Sequence, residues 1–301
     1  MGAASAAECS CASGKWSAAG SSTCADCAGG KSSTTSSNTD IASCTCSGVC
    51  NADVITEQAL TLLSDPAAWR NEPFHHIVIE DFLKSHVLRE VAAEAHVLPE
   101  NAATSRFLDV RSAVQFNKLG FGNLQALGAT TQEVFRRLHD AEFTSAVERG
   151  SGIHDIVADV GIKGGGIHQI KPLGFLNTHT DFNMYSSSAT GMKLDRRLNI
   201  LIYLNENWHD AWGGHLEFWD GITKQQVARY LPVANRCVIF ATNKISWHGH
   251  PVPLNSPANR SRFSLASYYY TKNTHGGVDF EGEPPHNTRF VDWGHPKSPL
   301  P

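Results

Sequence analysis

The stretch FLNTHTDFN places His179 and Asp181 two residues apart, just after an apolar pair. On a β-strand, residues i and i+2 face the same way. The imidazole and the carboxylate therefore point into one space, with Thr178 and Thr180 turned away. Such a pair suits a borderline metal. Two imidazoles and one carboxylate on one face of an octahedron, with open positions opposite, form the ligand set of non-haem Fe(II) sites. The third ligand must then come from another strand. The stretch SWHGHPVP, residues 246 to 253, offers His248 and His250, which share one parity. Further on, Arg262 opens the run RFSLASYYYT, where Arg262, Ser264, Ala266, Tyr268 and Tyr270 share a face. A buried arginine needs an anion. Its planar fork of donors suits a carboxylate held at two points.

These side chains need strands to carry them. After Gly150 come four runs, RLNILIYLN, GGHLEFWD, RCVIFATN and RFSLASYYYT. Each is short, β-branched or aromatic, and bounded by Gly, Asn, Asp or Pro. No helical pattern lies between them, which argues against a parallel βαβ sheet and for a sandwich or barrel, jelly rolls included. GIKGGGIHQI reads as a glycine-rich turn before a short strand. It lacks the Lys-Ser/Thr of a phosphate loop. Earlier in the chain, VITEQALTLLSDPAAW predicts a helix ending near Asp65-Pro66, and FHHIVIEDF a strand. FLKSHVLREVAAEAHVL has apolar residues at helical spacing, Leu83, Val87, Leu88, Val91 and Ala95. Thr130 and Glu133 in TTQEVFRRLHDAEF read as a capping box. After Thr271 the chain is rich in Pro, Gly and His and is expected to be irregular.

The 301 residues carry 18% charged and 41% hydrophobic side chains with a net charge of −4, which describes a mostly globular chain. No run of like charge suggests a nucleic-acid surface, and no apolar run is long enough for a membrane span. The start, MGAASAAECS, shows no signal peptide, and Ala6 breaks the myristoylation pattern. Seven of the eight cysteines, Cys9, Cys11, Cys24, Cys27, Cys44, Cys46 and Cys50, lie in the first fifty residues among Ser, Thr, Gly and Ala. So little apolar material cannot fold unaided, so disulfide staples are expected. Zinc held by CxC and CxxC pairs is the alternative. The segment contains a loose repeat, CSCASGKWSAAGSSTC echoed by ADCAGGKSSTTSSNTDIASC. It resembles ephrin-receptor-like cysteine-rich repeats. That likeness implies an oxidising compartment, the endoplasmic reticulum lumen or the outside of the cell. A precursor starting further upstream would reconcile this with the missing signal peptide.

A second resemblance is more specific. PFHHIVIEDFL, GGGIHQI, FLNTHTDFN, RRLNILIYLNENW, WGGHLEFWD, VIFATNKISWHGHPVP and RSRFSLASYYYT, taken in order over roughly residues 72 to 272, resemble the Fe(II)- and 2-oxoglutarate-dependent dioxygenases, in particular the prolyl-4-hydroxylase-like branch. The resemblance implies a mainly β protein, a double-stranded β-helix (jelly-roll) core with flanking helices. Shifts in composition divide the chain into a cysteine-rich module (1–50), a helical support region (51–150), the expected catalytic core (151–272) and a tail (273–301). His179, Asp181 and His248 would ligate iron. His248 is preferred over His250 because the family's ligand lies a few residues ahead of a Pro-Val pair. Arg262 and Tyr203 would hold the far carboxylate of 2-oxoglutarate, and Gln169 would line the cosubstrate pocket. O2 and ascorbate would complete the cofactor set, with a peptide or small molecule as substrate. Two departures stand out. The stretch from His248 to Arg262 is longer than in the family, and the collagen-type enzymes use Lys where this chain has Arg262. His215 is expected outside the ligand set, and Arg260 in a solvated loop. Trp208, Trp212, Trp219 and Trp247 are expected at the entrance or in the core. The competing reading is an extracellular cysteine-rich adhesion protein whose barrel is inactive.

Overall fold

The computed structural model describes residues 54–109, 112, 114–186 and 191–294, with two short strands near the N-terminus. These strands, β1 (Lys15–Trp16) and β2 (Ala25–Asp26), pair antiparallel. The seven N-terminal cysteines, and with them the expected disulfide-stapled or zinc-bound module, lie outside the described residues.

Four helices follow the apolar spacing. Helix α1 (Glu57–Ser64) begins where Thr56 accepts the Ala59 N–H and stops at Asp65-Pro66, since proline cannot continue the ladder. Helix α2 (Ser85–His96) buries Val87, Val91, Ala92 and Ala95 along one stripe. Helix α3 (Ala129–Leu138) departs from expectation: the Thr130–Glu133 box does not form. Glu94 of α2 accepts the Thr130 and Thr131 N–H groups at 2.9 and 2.8 Å, while Glu133 pairs with Arg136. A neighbouring helix supplies the cap that a local residue was expected to give. Asp140 then caps a separate helix, α4 (Ala141–Ser151), which Gly152 closes in a left-handed conformation.

The strands are β3 (His76–Ile79), β4 (Ser105–Phe107), β5 (Gln115–Phe121), β6 (Val157–Ala158), β7 (Gly166–Thr180), β8 (Met184–Ser186), β9 (Lys193–Tyr203), β10 (Leu216–Trp219), β11 (Gln226–Tyr230), β12 (Cys237–Ala241), β13 (Trp247–His250), β14 (Arg262–Lys272) and β15 (Arg289–Phe290). The four runs read as strands are β9, β10, β12 and β14. Every ladder between described strands is antiparallel, and the main path runs β11-β10-β13-β7-β14-β9-β12-β3. The protein is mainly β, a curled antiparallel sheet with some helices, consistent with the expected jelly roll. No helix among the described residues is long and apolar enough to cross a membrane.

Alternation divides the sheet into two faces. On the helix side, Leu198, Ile200, Ile202, Cys237, Ile239, Phe263, Leu265 and Tyr269 join residues of α1–α4 in the largest core cluster. On the other side, Tyr203, Val238 and Phe240 pack with Leu216 and Phe218, and Ala266, Tyr268 and Tyr270 pack with Leu194. Strand β7 is long enough to serve two neighbourhoods. Its first part lies between β5 and β14, and its last part beside β13 and β15. One strand thus links the Arg262 region to the His179 region. The C-terminal stretch expected to be irregular contributes one ordered pairing, Arg289–Phe290 against Thr180–His179.

Candidate active site

His179 on β7 and His248 on β13 are directly paired across the ladder, with ring centroids 4.3 Å apart. Each ring is anchored in the same way. His179 Nδ1 lies 2.8 Å from the Asn177 carbonyl, and His248 Nδ1 lies 2.9 Å from the Ser246 carbonyl. A carbonyl can only accept, so each Nδ1 carries the proton and each Nε2 keeps a free lone pair. Those Nε2 atoms face Asp181, at 3.7 Å from Oδ1 for His179 and 3.5 Å from Oδ2 for His248. The three ligand atoms lie within 4.8 Å of one another and are the single group of this kind among the described residues. Burial, then the neighbouring imidazole, pushes His179 down to about 3, and burial lowers His248. Both are therefore neutral at physiological pH, the form that binds a metal. Two free imidazole lone pairs and a carboxylate are the donor set that a non-haem Fe(II) takes.

Asp181 is held from behind. Arg196 NH2 lies 3.1 Å from Oδ2, and Asn199 Nδ2 donates to the same oxygen at 2.6 Å. Arg196 in turn donates to Asn199 Oδ1 through Nε and NH2, at 3.0 and 2.7 Å. Its guanidinium lies 3.7 Å from the Tyr268 ring centroid and 4.3 Å from that of Phe182, a cation–π arrangement. Burial alone would raise the Asp181 carboxyl. Arg196, the two imidazoles and Asn199 outweigh it and hold the group below the usual carboxylate range. Arg196 and Asn199 carry no motif and were not singled out from the sequence.

The same cavity is lined by Arg262, His250, His168 and Lys118. Arg262 is 5% exposed and donates from Nε to the Gly214 carbonyl at 2.8 Å and from NH2 to the Tyr203 hydroxyl at 3.3 Å. Gly214 has φ +72°, and a Cβ there would come within 3.1 Å of Arg262 Cδ, so the second glycine of WGGHLEFWD makes room for the arginine. Tyr203 is fully buried. Its hydroxyl accepts from Arg262, which leaves its own proton free to donate, and burial keeps that proton on. Lys118 on β5 and Arg262 on β14 are both partnered with Ile170 of β7, on its two sides. Burial pushes the Lys118 ammonium down to about 8. Three cations, Lys118, Arg196 and Arg262, thus line a cavity whose one carboxylate is Asp181.

The structure brings His179, Asp181, His248 and Arg262 into one cavity, with Tyr203 directly behind Arg262. His250 lines the cavity but stands outside the ligand group. Gln169 is not brought in. It is out of phase with His168 and Ile170 on β7, and its side chain donates to Ser261 Oγ at 3.0 Å. A one-residue change of phase on a strand reverses the face, so His168 occupies the cavity wall. His215 bonds Asp210 and lies outside the ligand group. Trp208 packs in the core with Ile170 and Leu254, while Trp219 and Trp247 make tilted ring contacts with Trp293.

Residues 165–270 match the model of the 2OG-Fe(II) oxygenase superfamily. Among solved structures, the chain is similar to a prolyl-4-hydroxylase from Pseudomonas putida, at 19% identity over 71% of this chain and 99% of that one, with a TM-score of 0.47. It is also similar to a Trichoplax adhaerens prolyl hydroxylase solved with a hypoxia inducible factor peptide, at 15% identity, covering 71% and 91% of the two chains, with a TM-score of 0.49. HygX from Streptomyces hygroscopicus, solved with nickel, 2-oxoglutarate and hygromycin B, is 11% identical, with coverages of 79% and 98% and a TM-score of 0.43. No curated protein matches the chain. The matched segment contains His179, Asp181, His248 and Arg262. The protein thus carries a 2OG-Fe(II) oxygenase domain, and as an enzyme it is a 2-oxoglutarate-dependent dioxygenase.

Proposed function

We propose that the protein hydroxylates an unactivated C–H bond on a peptidyl, prolyl-like side chain, consuming 2-oxoglutarate and O2 and releasing succinate and CO2. The observation that carries the reading is one cavity holding both the His179–Asp181–His248 group and Arg262. In this reading those three residues hold Fe(II), through the two free Nε2 lone pairs and Asp181. When bound, the metal supplies the oxygen activation that side chains cannot. Arg262, with Tyr203 sharing the load, holds the far carboxylate of 2-oxoglutarate and fixes the cosubstrate's direction. Arg196 and Asn199 keep Asp181 ionised and oriented, as outer partners of a ligating carboxylate do. A carboxylate at this position also argues against halogenation, which needs a small residue there to make room for chloride.

The peptidyl, prolyl-like substrate is proposed from the likeness of the ordered motifs to the prolyl-4-hydroxylase-like branch. Ascorbate, which rescues iron oxidised without product, is proposed on the same ground. A place in the secretory pathway is supported by the seven clustered N-terminal cysteines.

An anaerobic titration of the purified protein with Fe(II) and 2-oxoglutarate tests the core of the proposal. A visible charge-transfer band is expected. It should vanish in His179→Ala and need far more cosubstrate in Arg262→Ala. Correctly folded protein with reduced iron and no band would sink the assignment of the site. Proline-containing peptides incubated with the complete system should gain one oxygen by mass, and failure across a broad peptide library would overturn the peptidyl substrate alone.

A further inference from the structure

Among the described residues, His250 is an imidazole only 4% exposed, and neither of its ring nitrogens has a hydrogen-bond partner. A neutral imidazole always carries one N–H donor and one lone pair. Leaving both unmet away from water is rare in folded proteins and calls for a missing partner. The condition is particular to His250. His179 and His248, on the same cavity, each give Nδ1–H to a backbone carbonyl. The position of His250 is also fixed. It lies two residues past His248 on β13, opposite Leu176. A Cβ at Gly249 would come within 2.8 Å of the Leu176 and Asn177 carbonyl oxygens, so the two strands are in close contact here.

His250 lines the same cavity as Arg262. Arg262 has part of its fork already committed. Nε serves the Gly214 carbonyl, and one NH2 proton serves Tyr203. A carboxylate accepts about four hydrogen bonds, more than the two-point contact that the rest of the guanidinium offers. We propose that His250 is a further cosubstrate-holding residue, whose N–H donates to the far carboxylate of the 2-oxo acid beside Arg262 and so favours dicarboxylic over monocarboxylic 2-oxo acids. The inference rests on the 2-oxoglutarate reading above and adds a residue and a selectivity to it.

The test is a set of anaerobic dissociation constants for the Fe(II)-loaded protein, read from the charge-transfer band. The two ligands are 2-oxoglutarate and 2-oxopentanoate, which has the same five-carbon chain without the second carboxylate. His250→Leu should weaken 2-oxoglutarate about tenfold, the scale of one hydrogen bond to a charged group. It should leave 2-oxopentanoate within about twofold, because the lost donor served only the second carboxylate. His250→Gln, which keeps a donor, should recover much of the loss. If His250→Leu does not fold, His250→Met is read in the same way. Equal loss for both ligands, or loss for neither, overturns the inference and leaves His250 a space-filling group. A wild-type protein with no band for 2-oxoglutarate overturns the underlying reading as well, and the two failures are thereby distinct.

Discussion

Asp181 offers its two oxygens to different partners: Oδ2 sits 3.1 Å from Arg196 NH2, while Oδ1 lies 3.7 Å from His179 Nε2. With Asn199 also on Oδ2, the carboxylate cannot rotate freely, and Oδ1 remains for a metal. Arg196→Leu therefore strips a buried carboxylate of its cation. The metal-free protein is expected to lose about 3–5 kcal/mol of stability, and metal affinity should fall about 10- to 100-fold. Denaturation in the presence of a chelator, followed by Co(II) titration, measures the two effects separately. Unchanged metal affinity in a folded Arg196→Leu protein would show that Asp181 needs no such support.

Gly214 and Arg262 form a second pair whose coupling can be tested. The positive φ at Gly214 strains any other residue by about 1–3 kcal/mol. An added Cβ there would lie 2.5 Å from Leu254 Cδ2 and 3.1 Å from Arg262 Cδ. Gly214→Ala should raise the KM for 2-oxoglutarate several-fold with a smaller change in kcat, because it displaces a binding group. Succinate release at varied cosubstrate concentration measures this. A fall in kcat at constant KM would instead place the effect on the metal.

The fold and half of the site were legible in local patterns. The short β-branched and aromatic runs RLNILIYLN and RFSLASYYYT mark strands with two buried faces, and His179 and Asp181 are two residues apart on one face. The choice between His248 and His250 was not legible from parity, because both share it. The structure pairs His248 with His179 and groups it with Asp181, which supports His248. Arg196 was hidden for a sharper reason. Strict alternation from Asn199 would turn Arg197 inward, yet the β9–β14 register shifts there, pairing Tyr269 with Leu198 and Tyr270 with Arg196. A bulge of this kind advances the phase by one residue and turns Arg196 toward Asp181. Gln169 missed by the same single step. Lys118 reaches the cavity only because β5, from a segment read as helical support, joins the edge of β7.

His139 gives a pH dependence away from the metal. Burial pushes it down to about 4 from an ordinary value of 6.5, and its Nε2 lies 2.9 Å from Ser267 Oγ. The folded-state value is depressed, so between about pH 6.5 and 4 the unfolded chain binds the proton and the folded one does not. Stability from this group is complete above about pH 6.5 and falls as the pH drops toward 4, by up to about 1.4 kcal/mol per unit. His139→Gln should flatten that part of the stability profile. Chemical denaturation at several pH values compares the two proteins, and parallel profiles would exclude His139 as a contributor.

The C-terminal segment closes against the metal group through residues that can be released one at a time. Phe290 pairs with His179 on the β7 edge, their ring centroids 5.1 Å apart, and the Val291 N–H donates to the Thr178 carbonyl at 2.9 Å. Trp293 then makes tilted ring contacts with Trp247 and Trp219, with centroids 5.3 and 6.0 Å away. An edge pairing of two residues is weak alone, so the aromatic contacts, each worth about 0.5–1.5 kcal/mol beyond burial, should decide whether it persists. Trp293→Ala is expected to speed amide exchange at Val291 by about tenfold or more, while the β12 amides stay as slow as before. The same variant should lose bound Fe(II) to a chelator faster, because Phe290 no longer covers His179. If exchange at Val291 is unchanged in Trp293→Ala, the pairing is held by the Asn183–Asp279 and Asn183–Pro284 contacts upstream, and Asn183→Ala becomes the substitution that opens this side of the site.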